Sequence, residues 1–138
     1  MINAIFDTNV ILDLLLERKP FAASAVHAVA NVEKRRIEGL VCATTLTTVH
    51  YLLSNTISAR QSIAAIGQIL KVFKVAAVNR EVIEMALSLG FKDFEDAVLH
   101  EAGRLAGADS VITRNGRDFV RGSLAIYTPA ELVAIMSV

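Results

Sequence analysis

Four aspartates fall where a chain that alternates strands and helices would gather them. Asp7 directly follows the apolar run Ile2-Asn3-Ala4-Ile5-Phe6. Asp118 comes a few residues past a later apolar run, within Thr113-Arg114-Asn115-Gly116-Arg117-Asp118-Phe119. Asp93 and Asp96 stand three apart at the start of a helical stretch, so both can face the same way. A helix N-terminus also stabilises negative charge there. Carboxylates brought together repel one another unless a cation separates them. Hard divalent ions such as Mg²⁺ or Mn²⁺ take oxygen ligands and keep waters for chemistry. Softer metals find little here: one cysteine, Cys42, and three scattered histidines, His27, His50 and His100, with no zinc spacing. Each aspartate alone has a plainer role as a turn or cap residue, Asp93 as a helix N-cap above all. The metal chemistry requires that they converge.

Other acids read as structural. Asp13 lies inside an apolar helix and suits a role orienting its neighbours. Asp109 belongs to the turn before its strand, at the opposite end of a sheet. Glu95 and Glu101 read as solvated helix residues. Cys42, in a short apolar segment, reads as a small buried hydrophobe.

The elements that must position these residues follow from apolar pattern, caps and breakers. Strands are expected at 2–6, 40–43, 73–78, 110–113 and 124–127. Helices fall between them. One follows Asp7-Thr8-Asn9 and reaches about Arg18. A second starts near Pro20 and ends at Gly39, with Lys34, Arg35 and Arg36 in its last turns, where the helix dipole favours cations. Further helices run from about Thr45 to Ser54 and from Ser58, which has capping-box spacing to Gln61, to about Lys71. Asn79 caps a helix that stops at Gly90, and Asp93 opens one reaching Leu105. Thr128-Pro129-Ala130-Glu131 supplies an N-cap, a proline at the first helical position and a capping-box acid for the last helix. Strand–helix alternation of this kind predicts an α/β fold with a parallel sheet covered on both faces. Sites in such sheets form at the carboxyl ends of the strands.

The 138 residues make one ordinary domain, 1–138, able to bury a core without disulfides. With 14 basic and 14 acidic side chains the formal charge is zero, so any nucleic-acid binding must use a local basic surface. A single cysteine excludes an internal disulfide and suits an intracellular, cytoplasmic setting. The N-terminus carries no basic leader, and the uncharged stretch 39–59 is too rich in threonine, serine and asparagine to cross a bilayer. The apolar surplus, with Phe21, Val26, Val29 and Val32 on the early helices, suggests a homodimer face, although core packing explains the same pattern.

Asp7-Thr8-Asn9 after the first strand, Asp93-Phe94-Glu95-Asp96-Ala97 opening a helix, and the Thr113–Phe119 segment together resemble the motifs of the PIN domain family. Order and spacing match over the whole chain. Each motif is weak alone, and the three in order are fairly specific. The resemblance implies a three-layer α/β/α sandwich around a mostly parallel sheet of four to five strands. It implies a metal-dependent ribonuclease, as in VapC-type toxins of bacterial toxin–antitoxin pairs, with RNA as substrate, Mg²⁺ or Mn²⁺ as cofactor and a small antitoxin as partner. Carried over by residue, Asp7, Asp96 and Asp118 are the catalytic and metal-site acids, with Asp93 as an additional metal residue. Asn9 and Thr113 become polar neighbours of the site. Arg114 and Arg117 lie beside Asp118, where they suit either contacts to the RNA backbone phosphates or a solvated loop. One departure stands out. The family usually places an acid in the helix after the second strand, where this chain has Thr48, which brings no charge. His50, two positions on, faces elsewhere on a helix.

Two other readings stay open. Thr48 and the neutral net charge also suit a module that keeps the fold, binds nucleic acid or protein, and has weak or no nuclease activity. A haloacid-dehalogenase-type phosphotransferase also begins with a strand and an aspartate, but it wants a second aspartate where this chain has Asn9.

Overall fold

A computed structural model describes residues 1–137; Val138, the last residue of the expected domain, lies outside the described residues. The order of elements is β1 (Asn3–Phe6), α1 (Thr8–Leu15), α2 (Ala22–Glu33), β2 (Glu38–Cys42), α3 (Ala43–Thr56), α4 (Ala59–Val72), β3 (Lys74–Ala76), α5 (Arg80–Leu87), α6 (Phe94–Leu105), β4 (Ser110–Ile112), a 3-10 turn (Gly116–Phe119), β5 (Ala125–Tyr127) and α7 (Pro129–Met136). The five strands form one sheet in the order β3-β2-β1-β4-β5, and every pairing is parallel. The expected mostly parallel sheet is thus parallel throughout.

Strand period places helices on both faces. On β1, Ala4 and Phe6 enter one core and Ile5 the other; on β2, Val41 opposes Leu40 and Cys42; on β4, Ile112 opposes Val111. The first core is filled by α1, α2, α3, α4 and α7, the second mainly by α5 and α6. β1 is the central strand, with Phe6 level with Val41 on one side and Ile112 on the other. The carboxyl end of β1 therefore opens at the middle of the sheet.

Several caps are as the sequence predicts. Ser58 accepts from Gln61 N, Asn79 from Val82 N and Asp93 from Glu95 N. Thr128 and Glu131 make the full reciprocal capping box, with Pro129 in the first turn. Asp109 ties the far end of the sheet, accepting from Asn3 N and Ser110 Oγ.

Helix boundaries differ early in the chain. α1 stops at Leu15 rather than Arg18, with Glu17 in the left-handed region at φ 52°. Pro20 lies in the turn before α2, not in its first turn. α2 ends at Glu33, not at Gly39. Arg35 takes the left-handed conformation (φ 58°), and the N–H groups of Arg36 and Ile37 both return to Asn31 O. This closure throws Ile37 into the core, 2% exposed, and lets β2 begin at Glu38. Gly39 is thus a strand residue. A Cβ on it would meet Val32 Cγ1 at 2.6 Å and Phe73 Cδ1 at 2.9 Å, both buried. Lys34, Arg35 and Arg36 lie just past the helix end, and Arg36 reaches across to Met136 O near the end of α7. Of the suggested dimer-face residues, Val29 and Val32 belong to the core, while Phe21 and Val26 are exposed.

Gly39→Ala should destabilise the fold by about 1–3 kcal/mol, the usual cost of overpacking a filled interior. A urea titration reads this as a lower midpoint with an unchanged slope.

Candidate functional site

The ladder that ends β1 also sets Asp7. Its N–H donates to Ile112 O, continuing the β1–β4 pairing one residue beyond the strands. Its side chain turns back to cap α1, where Oδ1 accepts from Thr8 N at 2.8 Å. Oδ2 accepts from Thr113 Oγ1, also at 2.8 Å, and that hydroxyl accepts from Asn115 N. Asp7 is buried. Burial raises its pKa, the bonds from Thr113 and Thr8 oppose the rise, the Asp118 charge adds to it, and Arg114 lowers it.

Asp96 sits in the first turn of α6, half-buried. Its pKa is pushed up to about 7, first by burial and then by the negative charges of Asp7, Asp93, Asp118 and Glu95. Asp93 is exposed and spends Oδ1 on the α6 cap. Asp118 is exposed on the 3-10 turn, an element the sequence reading leaves as loop, and it faces the other acids closely enough to raise Asp7 and Asp96.

Asp7, Asp93 and Asp96 open onto a cavity of about 210 Å³ between α1, α3 and α6. Thr8, Asn9, Thr44, Thr48 and Glu95 add polar walls, and Leu12, Leu52 and Leu99 the apolar ones. Thr48 therefore does face the acids, and it faces them without charge. Thr113 and Asp118 approach from the β4 side and do not line the cavity. His50 is also outside the lining; its carbonyl accepts from Ser62 Oγ. A larger hollow, about 720 Å³, lies at the amino ends of β2 and β3, where Lys74 pairs with Glu38. It holds no comparable group of acids, so chemistry rather than size selects the smaller cavity.

Arg114 is partly exposed and is also engaged within the chain. Its Nε donates to Asp13 Oδ2 at 2.8 Å, and its guanidinium lies 4.1 Å above the Phe21 ring. Asp13 also takes Arg18 Nε at 2.8 Å, and Arg18 Nη2 reaches Asn9 O and Oδ1. Asp13 has the structural role read for it, and its partners are the arginines flanking the acid cluster. Arg117 is exposed. Glu101, expected in solvent, is 2% exposed. It accepts from His100 Nδ1 at 2.7 Å and from Arg104 Nη2 at 3.0 Å. Burial alone would raise its pKa, but the bonds from Arg104 and His100 hold it below the usual range. The Glu101–Arg104 spacing of three was the signal available in the sequence.

A group of hard oxygen donors at the carboxyl ends of two strands and the N-terminus of a helix, on an all-parallel covered sheet, defines the class. The chain belongs to the PIN domain family, whose model matches residues 3–117. It is 24% identical to ribonuclease VapC1 of Aquifex aeolicus (strain VF5) over 130 residues, 91% of this chain and 89% of that protein. The fold is similar to that of a toxin–antitoxin complex from Klebsiella pneumoniae, with TM-score 0.71 and 23% identity over 94% of this chain and 99% of that one. It is also similar to VapBC2 from Rickettsia felis, solved bound to a DNA fragment from their promoter, with TM-score 0.73 and 12% identity over 93% and 98% of the two chains.

The raised carboxyls have a thermodynamic sign. The folded protein holds the Asp96 proton between 3.8 and about 7, where the unfolded chain has released it. Stability from this group is thus greatest below 3.8 and falls as pH rises to about 7. Without divalent ions, Asp96→Asn should melt above wild type at neutral pH and coincide with it below about pH 4. Thermal denaturation across that range checks this; a difference independent of pH would contradict it.

Proposed function

We propose that this chain acts as a single-domain, metal-dependent ribonuclease that hydrolyses RNA phosphodiester bonds, as the toxin of a toxin–antitoxin pair. The observation that carries the reading is the uncompensated charge shared by Asp7, Asp96 and Asp118 beside a small cavity. Burial and mutual repulsion lift Asp96 to about 7, and a hard divalent cation relieves both. The donor set fits Mg²⁺ or Mn²⁺. Asp7 and Asp96 are the main ligand candidates, Asp118 joins from the 3-10 turn, and Asp93 offers the oxygen not used in its cap. Among the described residues no three acidic, histidine or cysteine side chains are arranged to hold an ion as they stand, so binding would require these acids to draw closer or waters to bridge them. When bound, the ion supplies an activated water and charge stabilisation at the phosphate.

The chain's own residues do the rest. Thr8 N–H and Thr113 Oγ hold the Asp7 carboxylate in one orientation. Asp96, its pKa pushed up to about 7, is half-protonated near neutrality and would release that proton on binding a cation. Leu12, Leu52 and Leu99 give the cavity its apolar wall. Arg114, aimed by Asp13, and the exposed Arg117 are the candidate contacts for backbone phosphates. The ribonuclease named above supports an RNA substrate and the toxin–antitoxin complex an antitoxin partner; a small antitoxin and a cytoplasmic site of action are part of the proposal. Exposed Phe21 and Val26 offer part of a homodimer face. Among the described residues, no helix is long and apolar enough to cross a membrane.

A second reading, a PIN-fold binding module with weak or no nuclease activity, is favoured by Thr48, which occupies the cavity wall without charge. Two measurements separate them. Single-stranded RNA should be cleaved with Mn²⁺ and not with chelator, and Asp7→Asn should lower the rate at least about 100-fold. Cleavage that survives in chelator or in Asp7→Asn would sink the metal-site reading. In titration calorimetry, Thr48→Glu should tighten Mn²⁺ binding about tenfold by adding a carboxylate. No uptake by wild type at millimolar Mn²⁺ favours the inert module.

A further inference from the structure

His100 and Glu101 are 1% and 2% exposed and take no part in the chemistry proposed above. A buried carboxylate is costly unless its hydrogen bonds are satisfied, and here both Glu101 oxygens are partnered. Glu101 is ionised, held so by Arg104 and His100. Facing a carboxylate, His100 Nδ1 must carry the proton, which leaves Nε2 as an acceptor. Two backbone N–H groups donate to it, Ser123 at 3.1 Å and Leu124 at 3.2 Å. One imidazole thus joins α6 to the segment leading into β5.

That segment carries Asp118. At its start, Thr113 Oγ bonds to Asp7 and receives Asn115 N. In its middle, Phe119 is buried edge-on to Phe91, whose ring also lies 5.5 Å from His100. Gly122 N returns to Phe119 O, and a Cβ on Gly122 would fall 2.2 Å from His100 Nε2. The imidazole occupies the space a side chain would need. Asp118 is exposed on this span, and no hydrogen bond of its own side chain holds it among the described residues.

We propose that His100 is a positioning residue, fixing the 116–124 segment on α6 so that Asp118 stays beside Asp7 and Asp96. His100 lies one helical turn beyond Asp96, so the helix that carries one acid also sets the place of another. The functional half of this inference rests on the metal-site reading above. The structural half does not.

The test compares His100→Phe, which keeps volume without an acceptor, with His100→Gln, which keeps a carbonyl acceptor, and Gly122→Ala, which crowds the imidazole from the other side. Amide hydrogen exchange should quicken at Ser123, Leu124 and the 3-10 turn by about tenfold or more in His100→Phe and Gly122→Ala, with β1 and β4 unchanged. His100→Gln should recover most of the protection. Unchanged exchange in that segment would overturn the inference. Mn²⁺ titration of wild type, His100→Phe, Asp118→Asn and the double variant supplies the second arm. His100→Phe should weaken Mn²⁺ about tenfold when Asp118 is present and less than about twofold when it is Asn. Equal losses in both backgrounds would show a general structural effect and overturn the link to Asp118. If wild type takes up no Mn²⁺, the metal-site reading falls, and the exchange result alone decides whether His100 holds the segment.

Discussion

Everything at the carboxyl end of the sheet depends on keeping one carboxylate, Asp7, out of water. Two donors stabilise it there, the Thr8 amide and the Thr113 hydroxyl. Neither brings a positive charge. Hydrogen bonds of this kind orient a carboxylate without neutralising it, so its charge is felt at Asp96. The same residue is also the last link between β1 and β4 and the cap of α1. Sheet, helix and candidate site therefore share a single side chain.

The positive charge that such a site needs is kept at a fixed distance. Asp13 takes Arg18 and Arg114 together, and Phe21 supports the second guanidinium from below. Arg114 lowers the Asp7 pKa without bonding to it. An arginine free to fold onto Asp7 would cancel the negative charge at the cavity. The pairing with Asp13 prevents that collapse, and it explains an acid buried in an otherwise apolar helix.

Much of this was legible in the sequence, and the remainder was hidden for definable reasons. Local chemistry reads well. Thr128, Pro129 and Glu131 announce their helix within four residues, and Asp7 after β1, Asp96 at the start of α6 and Asp118 after β4 fall where their local sequence puts them. Contacts between distant residues do not read. Asp13 and Arg114 are 101 positions apart, so nothing near Arg114 shows that its charge is already engaged. Glu101 looks solvated because charged helix residues usually are; only the fold reveals that His100 and Arg104 close around it. The end of α2 was misread because the left-handed turn expected of Gly39 is made by Arg35, an unfavourable residue for it. Gly39 is needed for a different reason, the close approach of Val32 and Phe73.

The sheet has its longest strands, β1 and β2, inside, while its two edges, β3 and β5, are only three residues each. On β3 the edge also carries the exposed ammonium of Lys74. Edges this short, one of them charged, are poor templates for another chain's backbone. The exposed apolar side chains Phe21, Val26, Tyr51 and Ile63 lie instead on and beside the helices.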